Sequence, residues 1–139
     1  MLGIHLILDG FGADRLKLND IDFITKILNE YPEFLGMCKV GIPRVFQYST
    51  KNKIKGISGV VLISSSHIAL HTNSNNGILN LDIFSCKNFD IDFAIDYIVK
   101  KFKIKEYKKR IIGIGKEYPT SDYNLFKILS FERNKFLKE

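Results

Sequence analysis

Two runs of alternating hydrophobicity, His67–Thr72 and Ile78–Ser85, flank the polar segment Asn73-Ser74-Asn75-Asn76-Gly77. Alternation with period two places one face of each run against a core, and Asn-Gly between such runs is the strongest short-range signal for a β-hairpin. A hairpin requires antiparallel pairing, which excludes an all-parallel sheet with a helix at every crossover. With Asn76 and Gly77 as the two central turn residues, His67 faces Cys86 and His71 faces Asp82. That register sets Ser66 beside Cys86, with His71 four residues along the strand and about 13 Å from Cys86 at ~3.3 Å per residue.

Other strands and helices assemble around this hairpin. Gly3–Asp9 reads as a short apolar strand that ends in GFGAD, which lacks the third glycine and the helix of a dinucleotide fingerprint. From Asn19 the period changes: Ile21, Ile24, Ile27/Leu28 and Tyr31 form a helical stripe, with Asn19 or Asp20 as cap and Pro32 at or beyond the end. Residues 37–48 read as a second strand, held to an edge or a bulge by Pro43. Ile57–Ile63 is a nearly continuous apolar strand. A second helix carries Ile91, Ala94/Ile95, Ile98/Val99 and Phe102, with Asp90 or Asp92 at its start. Residues 106–114 form the last strand. A domain over 1–116 is followed by an extension, 117–139, whose Leu125, Ile128/Leu129 and Phe136 suit a helix.

The order strand, helix, hairpin-linked strands, helix, strand predicts an α+β, two-layer sandwich: a mainly antiparallel sheet with two main helices on one face. The other face is left partly uncovered, which points to a homodimer. At 139 residues there is material for one core. No apolar run reaches the ~18–20 residues of a membrane span. The N-terminus has no basic start and carries Asp9 early, unlike a signal peptide. Cys38 and Cys86 are too few for a disulfide framework and fit a reducing cytoplasm. The net charge of +6 comes from lysines clustered at 51–55 and 100–110. Lysines at a helix end and on edge strands serve the dipole and solubility, and no aromatic interleaving accompanies them, so nucleic acid is not an expected partner.

Chemistry concentrates in 57–86. His67-x-x-x-His71 would share one face of a helix, but the run is β-like and no third ligand lies at metal spacing, so no metal site is expected. Gly56-Ile57-Ser58-Gly59-Val60 leads into a strand and is not a hydrolase nucleophile elbow. Cys86 or His67 alone would most often be structural.

Taken together, GISGVVLISSSHIALHT at 56–72 and GILNLDIFSC at 77–86 resemble the prokaryotic S-adenosylmethionine decarboxylase family. That family carries G-[VI]-S-G-V-V-L-[IL]-x-E-S-H-L-x-[IL]-H-T and then D-[VI]-F-[ST]-C at a fixed distance. The N-terminal Gly3-x-His5-Leu6-x-x-Asp9 also fits, and the likeness spans roughly residues 2–113. The resemblance implies a proenzyme that cleaves itself between Ser65 and Ser66 and converts Ser66 into a pyruvoyl group. That group takes the substrate amine as a Schiff base and serves as electron sink for decarboxylation. It further implies processing roles for Ser58 and His71, a proton-donor role for Cys86, and the small-molecule substrate S-adenosylmethionine, on the route to spermidine.

The chain departs from the pattern at three places. Ser65 replaces glutamate, and the triple serine makes Ser65 the alternative nucleophile. Asn73-Ser74-Asn75 replaces Trp-Pro-Glu, which leaves Asn75 as an uncharged partner for substrate hydroxyls. An aromatic expected shortly before Ser58, for stacking on adenine, is missing at that spacing, where Asn52 and Lys53 stand. The same chemistry on arginine or ornithine, or a non-processing homologue acting as a regulatory subunit, are the alternatives.

Overall fold

The computed structural model describes residues 3–51, 53 and 55–115. The expected extension, 117–139, lies outside the described residues, as does Asn52. The chain runs β1 (Gly3–Phe11), α1 (Arg15–Leu18), α2 (Ile21–Phe34), β2 (Arg44–Ser49), β3 (Lys55–Ile63), β4 (Ser66–Asn73), β5 (Ile78–Ser85), α3 (Ile91–Phe102) and β6 (Glu106–Ile114). The six strands form one antiparallel sheet in the order β2-β3-β4-β5-β1-β6. The α+β reading holds.

Alternation within each strand sorts side chains onto two faces. Leu6 and Leu8 of β1, Ile57 and Val61 of β3, Ile68 and Leu70 of β4, and Leu79, Leu81 and Ile83 of β5 are buried. They meet the apolar stripes of α2 (Ile24, Ile27, Leu28, Tyr31) and α3 (Ala94, Ile95, Ile98, Phe102). The opposite face carries Ser58, His67, His71, Asp82 and Phe84, none of them buried. Aspartates start the three helices among the described residues: Asp14 accepts from Leu16 N and Lys17 N, Asp20 from Phe23 N, and Asp90 from Phe93 N.

Three expectations need correction. The segment 37–48 is not one strand: β2 begins at Arg44, just after Pro43, and in residues 37–43 strand-type pairing is confined to an isolated Lys39–Ile63 bridge. Pro32 does not stop α2, which continues to Phe34. A proline in the last turn sacrifices one hydrogen bond, and the Pro32 carbonyl is capped by Met37 N at 2.8 Å.

The hairpin register is also shifted by two residues. Asn73 pairs with Ile78, so the loop is Ser74–Gly77; His67 faces Phe84 and His71 faces Asn80. The loop's polar groups bond elsewhere instead of extending the ladder. Ser74 N donates to Lys55 O (3.1 Å), Asn75 Oδ1 accepts from Lys55 N (2.8 Å), and Gly77 O accepts from Ala13 N (3.1 Å). Because the shift is even, every side chain keeps its face.

Candidate active site

The end of β3 and the start of β4 form a tight hairpin: Ile63 pairs with Ser66, leaving Ser64 and Ser65 as the loop. Ser65 has φ 59°, in the left-handed region where a non-glycine residue is strained. Two neighbours grip this turn. On one side, Ser64 N donates to Cys38 O (3.2 Å) and Val40 N to Leu62 O (2.8 Å). On the other, Cys86, the residue after β5, reaches across.

Cys86 makes two bonds there. Its thiol donates to the Ser65 carbonyl oxygen at 2.8 Å, and its backbone N–H donates to Ser66 Oγ at 3.1 Å. One residue therefore holds both partners of an acyl transfer from nitrogen to oxygen. If Ser66 Oγ adds to the Ser65 carbonyl carbon, charge develops on the oxygen that already accepts the thiol proton. A cleft of about 740 Å³ opens beside Cys86, lined by Gly3, Ile4, Asn88, Ile111 and Gly113 among others. Its volume suits a small-molecule ligand.

Ser58 and His71 are brought together elsewhere. They pair across β3 and β4 on the open face, with Ser58 Oγ and His71 Nδ1 2.8 Å apart. A shallow cleft lined by Arg44, Phe46, Val60 and Ala69 surrounds them. His71 lies five residues along β4 from Ser66, roughly 16 Å at ~3.3 Å per residue, so within one chain this pair does not reach Ser66. Asn75 lies at the far end of β4, with Oδ1 engaged by Lys55 N.

Between these centres lies a group that sequence reading did not connect. On the open face Asp82 Oδ1 is hydrogen-bonded to His5 Nε2, and Asp82 Oδ2 is 4.0 Å from His67 Nε2. Phe46 was also missed as a neighbour of Ser58. It lies twelve residues earlier in the chain but directly opposite on β2, with 68% of its surface exposed.

The model of the family described as S-adenosylmethionine decarboxylase matches residues 4–113. The chain belongs to this family. The S-adenosylmethionine decarboxylase proenzyme of Geobacillus kaustophilus is 36% identical over 71% of this chain and 76% of its own length. That of Pyrococcus furiosus is 36% identical over 75% of this chain and 72% of its own. The crystal structure of the adenosylmethionine decarboxylase from Aquifex aeolicus superposes with a TM-score of 0.67 at 27% identity, covering 86% of this chain and 98% of that one. The family match spans both centres, from Ile4 to Gly113, and ends before the C-terminal extension.

Proposed function

We propose that this chain is a self-cleaving proenzyme whose larger fragment decarboxylates S-adenosylmethionine. The observation that carries this reading is the double contact of Cys86 with Ser65 O and Ser66 Oγ. The word proenzyme in the relatives' names supports it. Ser66 Oγ adds to the Ser65 carbonyl carbon, the C–N bond breaks, and the hydroxyl proton ends on the Ser66 nitrogen, so the amide becomes an ester. Loss of the Ser66 α-proton and cleavage of the Cβ–O bond release Ser65 as a carboxylate and leave dehydroalanine. Water then enters and ammonia departs, leaving a pyruvoyl group on the amide nitrogen of His67.

The local residues fit such a group. Cys86 flanks position 66, and the adjoining cleft leaves room for a substrate. A pyruvoyl carbonyl captures a substrate amine and draws electrons as carbon dioxide leaves. The Cys86 thiol would return a proton to the substrate carbon. Phe46 offers an exposed flat ring to a purine in place of the aromatic missing before Ser58. The product would supply aminopropyl groups for spermidine, and two cysteines without a disulfide fit the cytoplasm.

The working unit is a homodimer packed through the open sheet face. The separation of Ser58–His71 from Ser66 within one chain supports this, because a second copy can bring its own pair to the turn. Exposed Phe46, Leu62 and Ile112 on that face give apolar surface to bury. Release of labelled carbon dioxide from S-adenosylmethionine, arginine and ornithine tests the substrate. Activity confined to S-adenosylmethionine is expected; preference for either amino acid moves the reading to the alternative.

A further inference from the structure

We infer that His67, Phe84, Asp82 and His5 form a side-chain anchor that holds the start of β4 in place after the chain is cut. The inference rests on the self-cleaving reading above. In the intact hairpin, Ser66 is fixed by the covalent turn and by pairing with Ile63. Breaking the 65–66 bond removes the covalent tie, and the end of a strand is where a sheet opens most easily. Yet the reactive group sits on that end, attached to the nitrogen of His67, and a misplacement of an ångström is costly to a reaction.

Once Ser66 has lost its hydroxyl, His67 is the first residue past the cut whose side chain is tied down. Its ring stacks on Phe84 of β5 with centroids 5.4 Å apart and planes within 2°. The His5 ring of β1 meets the same Phe84 edge-on, at 5.7 Å and 69°. Asp82, two residues back on β5, binds His5 Nε2 and lies 4.0 Å from His67 Nε2. One aromatic ring and one carboxylate thus join β4, β5 and β1 beside the cleavage site. Asp82 and both histidines are only partly exposed, and the chemistry assigned to Ser58, Ser66, His71 and Cys86 makes no use of them. His67 and Asp82 are positioning residues: they act through the backbone that carries residue 66.

The test uses full-length wild type and the variants His67→Ala, His67→Phe, Asp82→Asn and Ser66→Ala. It reads cleavage by mass, kcat and KM by carbon dioxide release, and amide hydrogen exchange over residues 67–69. His67→Ala should still cleave, lose kcat by about 10–100-fold with KM nearly unchanged, and exchange faster than cleaved wild type. His67→Phe, which keeps a ring on Phe84, should recover most of kcat, and Asp82→Asn should fall between. Cleaved His67→Ala that turns over and exchanges like wild type overturns the anchor, with Asp82→Asn as the second arm if His67→Ala does not fold. A folded His67→Ala that fails to cleave, or a His67→Phe as inactive as His67→Ala, overturns it too, by assigning the imidazole a direct chemical part. Wild type that never cleaves overturns the self-cleaving reading as well, so the two failures are told apart.

Discussion

Cys86 approaches the Ser64–Ser65 turn and Ser66 with two different atoms, and substitution isolates what its thiol does. Cys86→Ser keeps a donor toward Ser65 O and is expected to retain most of the self-cleavage. Cys86→Ala removes it and should slow cleavage by about 10²-fold, the typical cost of losing one donor at a developing oxyanion. A time course of intact mass after synthesis distinguishes them; equal rates for the two variants would remove the thiol from the cleavage step. Ser58, Ser66, His71 and Cys86 could all be picked out from a motif with fixed spacing, because linear spacing survives in a strand–turn–strand segment. The partners of Ser58 and His67 could not. Phe46 lies opposite Ser58, and Phe84 stacks on His67, across separate strands, and such contacts depend on registers that loops determine.

Among the secondary-structure elements, α2 and β3 meet where Gly59 lacks a side chain. A Cβ at this position would lie 2.5 Å from Leu28 Cδ1 and 3.2 Å from Val45 Cγ2. Gly59→Ala should therefore destabilise the fold by about 1–3 kcal/mol, as overpacking does. Chemical denaturation measures it, and an unchanged midpoint would mean that α2 shifts without cost.

The helices meet through Tyr31 and Tyr97, whose rings stack at 4.7 Å, while Tyr31 Oη donates to Ala94 O. Burial, and to a lesser degree the neighbouring Tyr97, push the Tyr31 phenol above its ordinary value; burial and then Glu30 raise Tyr97. A raised phenol stays neutral in the fold while the unfolded chain ionises, so its stability contribution is intact below about pH 10 and is lost as pH rises beyond it. The melting temperature should fall above that pH, and Tyr31→Phe should flatten the fall; parallel alkaline profiles would contradict this. The two long helical stripes and the antiparallel hairpin were legible because each follows from local periodicity, whereas the one-turn α1 with its Asp14 cap is too short to show a period. The two-residue shift of the hairpin was not, since Ser74 and Asn75 bond to Lys55 of a strand far from them in sequence.

At the scale of the whole molecule, the proposed homodimer would resolve the separation of the two centres, and mixing variants tests it. Ser66→Ala lacks the proposed nucleophile, and His71→Ala lacks the histidine that a second copy would lend. Each alone should be inactive, while co-expressed chains should recover decarboxylation through one complete site per mixed dimer. No recovery in a mixed dimer shown to form would mean that each chain builds its site alone. Beneath all of this lies the proposed cut between Ser65 and Ser66, which the intact mass of the purified protein tests most directly. Wild type should yield two fragments, Met1–Ser65 and a remainder whose N-terminal carbonyl is trapped by amine and borohydride, while Ser66→Ala stays whole. A wild-type chain as unbroken as Ser66→Ala, with no carbonyl to trap, would contradict it.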